Sequence, residues 1–243
     1  MSSTLIGVGV GPGDPELVTV KGVNALRAAE VVVVPVMDSG EQGRAEATVL
    51  HYVPREKVVR VVFALNERSD RARREAAWDA AGERVAALLR AHRSVAFATI
   101  GDPNVYSTFT YLAQTVAALV PGTAVETVPG ITAMQDLAAR SGAVLTEGTE
   151  PLTLVPVTAG TAVLKEALNG PGTVVAYKFG RQAEEVARAL RESGRLGDAV
   201  WGSALGLAGQ SIRPAAELDG DALPYLSTLI APARREGGRG GKL

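Results

Sequence analysis

Apolar residues in this chain come in short bursts, separated by glycine or proline and by stretches with helical spacing. Residues 5–10 (LIGVGV) run into a glycine cluster, which predicts a buried strand ending in a loop. Residues 15–29 carry Leu17, Val20 or Lys21, Asn24 and Ala28 at helical spacing, which predicts one helix. Four valines at 31–34, closed by Pro35, predict a parallel strand covered on both faces. Residues 58–62 predict a further strand. Asp70 is placed to cap a long helix through Arg90, with Ala77, Ala81, Val85, Leu88 and Leu89 as its apolar stripe. Residues 94–100 predict a strand running into Gly101-Asp102-Pro103, and residues 108–119 the next helix.

Pro121-Gly122 is the strongest internal punctuation, and the alternation restarts after it. Strands are expected at 125–128, 152–155, 173–177, 199–201 and 226–230, with helices at 132–140 and 184–192. Strands alternating with helices predict an α/β fold with largely parallel sheets. The expected organisation is an N-terminal α/β domain at 1–121 and a C-terminal α/β domain at 122–233. An Arg- and Gly-rich tail at 234–243 is expected to be disordered.

Composition narrows the function classes. The chain has 243 residues, 47% of them hydrophobic and 21% charged, the balance of an ordinary globular protein. Lys plus Arg is 25 and Asp plus Glu is 26, so there is no basic excess of the kind that nucleic-acid binding requires. There is no Cys and there are two His, His51 and His92. Thiolate nucleophiles, Cys–zinc centres and multi-His metal sites are therefore excluded. No run approaches the roughly 18 apolar residues of a membrane span. The N-terminus lacks a basic segment before its apolar run, so no signal peptide is expected and the expected compartment is the cytoplasm.

The chemistry is expected in the loops that follow strands. Residues 7–14 (GVGVGPGD) allow sharp turns and close approach of a ligand. They do not fit G-x-G-x-x-G: the third glycine would fall on Pro12, Asp14 or Glu16, depending on the frame. A dinucleotide-binding oxidoreductase, the alternative from another enzyme class, is disfavoured on that ground. Gly101-Asp102-Pro103 reads either as a ligand-binding carboxylate at a strand end or as an Asx turn. Pro129-Gly130-Ile131-Thr132-Ala133 is a second strand-to-helix turn with N–H groups for a ligand or for capping.

Taken together and in order, these loops resemble the tetrapyrrole methyltransferase family. The matching pieces are Gly7-x-Gly9-x-Gly11-Pro12-Gly13-Asp14-Pro15-Glu16-Leu17-x-Thr19-x-Lys21-Gly22, then Thr99-Ile100-Gly101-Asp102-Pro103, then Val128-Pro129-Gly130-Ile131-Thr132-Ala133. The resemblance spans residues 4–232. The segments at 101–109, Tyr177-Lys178 and 225–230 make the chain most similar to members that act in cobalamin biosynthesis. The resemblance implies two α/β domains with a trough between them that binds S-adenosylmethionine (SAM). It also implies methyl transfer to a carbon of a small-molecule tetrapyrrole, metal-free or cobalt-bearing, by a homodimer.

Carried over residue by residue, the resemblance implies SAM contacts from Pro12, Gly101, Asp102, Val105, Tyr106, Thr132, Ala133, Tyr177, Lys178, Leu205 and Thr228. Asp14, Lys21, Lys178 and Arg181 are candidates for holding the substrate, with Arg44 and Arg213 further basic groups placed by loop position. Asp14 reads equally as an organiser of the glycine loop. No catalytic base is assigned, and neither a metal ligand nor a nucleic-acid or membrane partner is expected. Where relatives often carry an acidic residue before the turn ending in Gln210, this chain reads WGSALGL at 201–207. A non-catalytic tetrapyrrole-binding protein is the remaining alternative.

Overall fold

The computed structural model describes residues 3–38, 40–63, 71–158, 160–218 and 223–235. They fall into two compact units, Met1–Thr132 and Ala133–Leu243.

In the first unit, strands β1 (Thr4–Gly9), β2 (Val31–Val36), β3 (Val58–Val62), β4 (Ser94–Thr99) and β5 (Ala124–Val128) form one sheet in the order β3-β2-β4-β1-β5. Every pairing is parallel. The period-two alternation of a strand sends successive side chains to opposite faces. Leu5, Val31, Val33, Val95 and Phe97 pack on one face. That face is covered by α3 (Arg71–Ala91) and α4 (Phe109–Leu119) through Ala81, Val85, Leu89, Phe109, Leu112 and Val116. Val8, Val32, Val34, Ala96 and Ala98 pack on the other face, against Leu26 of α1 (Val20–Ala28) and Ala45 and Val49 of α2 (Arg44–Val49). The four valines of β2 are fully covered because each pair of neighbours feeds a different core.

The second unit holds β6 (Leu152–Pro156), β7 (Thr173–Tyr177), β8 (Val200–Ser203), β9 (Ser211–Pro214) and β10 (Ser227–Ala231), in the order β6-β7-β10-β8-β9. Here only β6 and β7 are parallel; β10 runs antiparallel to both β7 and β8, and β8 to β9. Helices α6 (Ala162–Leu168) and α7 (Ala183–Glu192) cover one face and α5 (Ala133–Ser141) the other.

Several expectations need correction. The helix expected over 15–29 is a 3-10 turn at Pro15–Leu17 followed by α1. Thr19 restarts the helix by accepting the Gly22 N–H at 3.0 Å, a side-chain cap that a continuous helix would not need. Pro35 lies inside β2 rather than closing it. That is tolerated because β2 pairs with β4 only over Val31–Val33, so the missing N–H falls past that ladder. Pro121-Gly122 is a turn within the first unit: β5 follows it and pairs with β1. The second sheet is mixed rather than largely parallel. Helices α2 and α6 and strand β9 were not expected, being only four to seven residues long. Asp70 and residues 236–243 lie outside the described residues. Of the expected tail, Arg234 donates to the Ser193 carbonyl and Arg235 pairs with Glu150 at 2.7 Å.

Two buried charges anchor the units. Glu46, fully buried on α2, receives Arg55 at 2.9 Å and Arg60 at 2.7 Å. Burial pushes its carboxyl up, but the hydrogen bonds from Arg60 and Arg55 and from the Gly43 N–H outweigh this and hold it below the ordinary value of 4.5. A lowered folded-state value means stability present above about pH 4.5 and lost as pH falls through the folded value. Glu46→Gln is therefore expected to flatten the acid limb of a stability–pH profile followed by urea denaturation. An unchanged acid limb would show that this cluster does not couple protonation to folding.

Arg195 in the second unit is 3% exposed and directs its guanidinium at backbone carbonyls. Its Nη1 reaches the Leu168 carbonyl at 3.3 Å, and Nη2 those of Gly172, Ala231 and Pro232 at 2.7, 2.8 and 2.5 Å. One guanidinium thus ties the end of α6, the entry to β7 and the end of β10. Arg195→Met is expected to cost about 3 kcal/mol in urea unfolding, because buried carbonyls lose their donor. A loss of under about 1 kcal/mol would mean that water replaces the guanidinium.

Candidate functional site

In a parallel sheet, the loops leaving the C-terminal strand ends all lie along one edge. In the first unit β1 and β4 are neighbours, but their chains leave toward opposite faces, β1 to α1 and β4 to α4. Such a divergence opens a crevice at the strand ends, where ligands of open α/β sheets bind.

The backbone there is unusually close. A Cβ on Gly9 would sit 2.6 Å from both the Gly101 carbonyl oxygen and the Gly130 nitrogen, and one on Gly130 would sit 2.1 Å from the Gly101 oxygen. Only glycine permits these approaches. The Gly101 N–H donates to the Gly11 carbonyl at 2.7 Å, joining the loops after β1 and β4. Asp102, 8% exposed, spends both oxygens on backbone: Oδ1 accepts the Asn104 N–H at 2.7 Å and Oδ2 the Gly130 N–H at 2.9 Å. It is thus an Asx turn that also ties the loop after β4 to the loop after β5. Gly101 itself has φ 72, and the nearest atom to its missing side chain is Thr132 Cα at 4.0 Å. A ligand can approach the bare Gly101 backbone from that side.

Pro12, Gly101, Asp102, Val105, Tyr106 and Thr132 therefore belong to this one strand-end region. Pro12 and Thr132 are buried and Tyr106 is 40% exposed. Tyr106 has φ 50, an unusual conformation for a non-glycine residue, and partial burial pushes its phenol above the ordinary value. Ser107 was not foreseen. Its hydroxyl lies 3.0 Å from that of Thr99 and accepts the Phe109 N–H at 3.2 Å, shaping the same loop.

The remaining candidates gather in the second unit. Thr228 on β10 is the register partner of Tyr177 on β7 and of Gly202 on β8. Tyr177 accepts the Met134 N–H through its phenol oxygen at 3.3 Å, and packs in one cluster with Leu137, Val175, Leu205 and Ile230, with Ala133 against it. Lys178 follows directly, at φ 60. Ala204, before Leu205, also has positive φ, at 50. No sequence signal marks it, since left-handed backbone is advertised by glycine and this residue is alanine.

The basic candidates lie at the surface of their own units. Lys21, Arg44 and Arg181 are exposed, on α1, on α2 and in a 3-10 turn. Arg213 is exposed and lies 3.9 Å from Glu217. Asp14 caps the turn after the glycine loop by accepting the Glu16 N–H at 3.0 Å. His92 lies 3.2 Å from Glu30 and His51 is exposed.

Comparison with known proteins identifies the chemistry. The tetrapyrrole (corrin/porphyrin) methylases match residues 4–219. The chain belongs to that family. It is accordingly a SAM-dependent methyltransferase, and the oxidoreductase alternative falls away. A precorrin-2 C(20)-methyltransferase of Sinorhizobium sp is 34% identical over 239 residues, 96% of each chain. A cobalt-precorrin-2 C(20)-methyltransferase of Salmonella typhimurium is 28% identical, covering 95% of this chain and 96% of that one. A cobalamin biosynthesis protein of Mycobacterium tuberculosis is 35% identical, but this chain spans only 46% of its length.

Solved structures agree on the fold. A cobalt precorrin-4 methyltransferase has a TM-score of 0.73 at 21% identity, over 94% of each chain. A uroporphyrin-III C-methyltransferase from Thermus thermophilus, complexed with S-adenyl homocysteine, has a TM-score of 0.66 at 22% identity, over 94% of this chain and 97% of that one. Among the described residues no helix is long and apolar enough to cross a membrane.

Replacing Asp102 by Asn tests the strand-end tie. An amide offers one acceptor where two N–H groups need one each, so Asp102→Asn is expected to cost about 1–3 kcal/mol and to weaken SAM binding in calorimetry. Unchanged stability would show that the loops hold their positions without this carboxylate.

Proposed function

We propose that the protein transfers a methyl group from SAM to C20 of precorrin-2, giving precorrin-3A in cobalamin biosynthesis. What supports this most directly is the 34% identity, across 96% of both chains, to a protein named for that reaction. SAM supplies a methyl group already activated on a positive sulfonium. The electron-rich macrocycle carbon forms the new C–C bond as the S–CH3 bond breaks, and its electron pair goes to sulfur. No protein nucleophile is required, in keeping with a chain that has no Cys.

In this reading Pro12, Gly101, Asp102, Val105, Tyr106 and Thr132 in the first unit contact SAM, with Ala133, Tyr177, the main chain of Lys178, Leu205 and Thr228 from the second. The bare Gly101 backbone suits a nucleoside that needs close main-chain contact. The residues' task is to align donor and acceptor and to exclude water, which is where most of the acceleration of such a displacement arises. Asp14, Lys21 and Arg181 remain candidates for the acceptor's carboxylates. The protein acts in the cytoplasm as a homodimer. Cobalt-precorrin-2 is the second reading, favoured by the similarity to the Salmonella protein.

Anaerobic incubation with SAM and precorrin-2, with and without cobalt, is expected to add one methyl group by mass, placed at C20 by NMR. Turnover only with the cobalt complex would select the second reading. SAM binding without methylation of either macrocycle would overturn the assigned acceptor.

A further inference from the structure

Lys178 carries left-handed backbone immediately after β7. Its N–H donates to the Ser227 carbonyl at 3.1 Å, and the Leu223 N–H donates to the Gly180 carbonyl at 3.0 Å. Ser227, 1% exposed, donates its hydroxyl to the Pro224 carbonyl at 2.6 Å. At Gly180 a Cβ would meet the Leu223 and Pro224 carbonyl oxygens at 2.3 and 2.5 Å. The segments 178–180 and 223–227 are thus bonded at both ends and pressed together where only glycine fits. The outcome is a single surface feature: Lys178 Nζ stands 5.7 Å from the centroid of the Tyr225 ring, and Tyr225 is 38% exposed. A strained non-glycine residue persists where its surroundings hold it, and such positions cluster at functional sites. Glycine would fit this backbone at lower cost, so what Lys178 adds is its side chain.

We propose that Lys178 and Tyr225 grip a carboxylate side chain of the tetrapyrrole acceptor and do so without contributing side-chain affinity for the methyl donor. This rests on the function proposed above. Charge decides between the two ligands. The donor carries a sulfonium and an ammonium against one carboxylate and is a net cation, so a lysine ammonium beside it is repelled. The acceptor carries several carboxylates and is attracted. The negative face of the Tyr225 ring holds the ammonium in place. Tyr225 is in this sense a positioning residue.

Four variants of the full chain test the grip: Lys178→Met, Lys178→Arg, Tyr225→Phe and Tyr225→Leu. SAM affinity is read by calorimetry, and KM and kcat for the macrocycle from initial rates. Lys178→Met is expected to raise KM for the macrocycle about tenfold, the loss of one charge-assisted hydrogen bond, with SAM affinity unchanged within about twofold. Lys178→Arg and Tyr225→Phe are expected to recover most of the loss, and Tyr225→Leu is not.

Lys178→Gly separates folding from binding. It relieves the backbone, so it is expected to unfold at no lower temperature than wild type while still losing macrocycle affinity. Weaker SAM binding with an unchanged macrocycle KM would overturn the proposal, as would variants indistinguishable from wild type. If wild type binds SAM but methylates no precorrin, the proposed function fails on its own. The grip is then read from fluorescence quenching by uroporphyrin, a polycarboxylate tetrapyrrole: weaker binding to Lys178→Met upholds it and equal binding overturns it.

Discussion

The carboxylate of Asp102 is the tie on which the strand-end region depends. Three loops leave β1, β4 and β5 at separations no side chain can enter, with a Cβ on Gly130 falling 2.1 Å from the Gly101 carbonyl. Close backbone approach does not hold itself together, because amides brought near one another still need partners. Asp102 supplies two, one within its own loop and one on the loop after β5. The Gly101–Gly11 bond closes the third side. A carboxylate that invites a ligand role therefore works first as structure, and any contact it makes to SAM uses lone pairs left over from that work.

The second unit solves the same problem differently. Its sheet is mixed, so strand ends point both ways and no single row of parallel loops forms. Lys178 and Ala204 hold left-handed backbone just after β7 and β8. Arg195, reaching four carbonyls from α6, β7 and β10, fixes the frame behind them. Conformations that lysine and alanine rarely adopt become affordable only on a frame this firmly bonded.

How much of this the chain announces depends on the kind of signal. The parallel sheet of the first unit was legible, because residues 31–34 and 95–98 are apolar without alternation, as strands covered on both faces must be. The glycine loop, Gly101-Asp102-Pro103 and Pro129-Gly130 were legible as turns, and their order carried the family. The mixed second sheet was not legible, since strand direction is set by pairing partners far away in sequence, and β9 is only four residues long. The domain boundary at Pro121-Gly122 misled for a related reason. A proline-glycine turn marks the end of a helix equally well inside a unit and between units, and only the pairing of β5 with β1 distinguishes them. Strain at Tyr106, Lys178 and Ala204 left no trace, because it arises where the fold overrides residue preference.

A chain without Cys and with two His looks poorly equipped for catalysis until the burden on the protein is considered. Methyl transfer from a sulfonium needs neither a protein nucleophile nor a metal Lewis acid; it needs the two reacting atoms in line and water kept out. Alignment to a fraction of an ångström is better supplied by backbone fixed at strand ends than by long side chains on loops. The net-cationic donor and the polyanionic acceptor also demand opposite surroundings. A glycine backbone close to neutrality suits the first. A lysine ammonium steadied by an aromatic ring suits the second, and this chain carries one of each on separately braced elements.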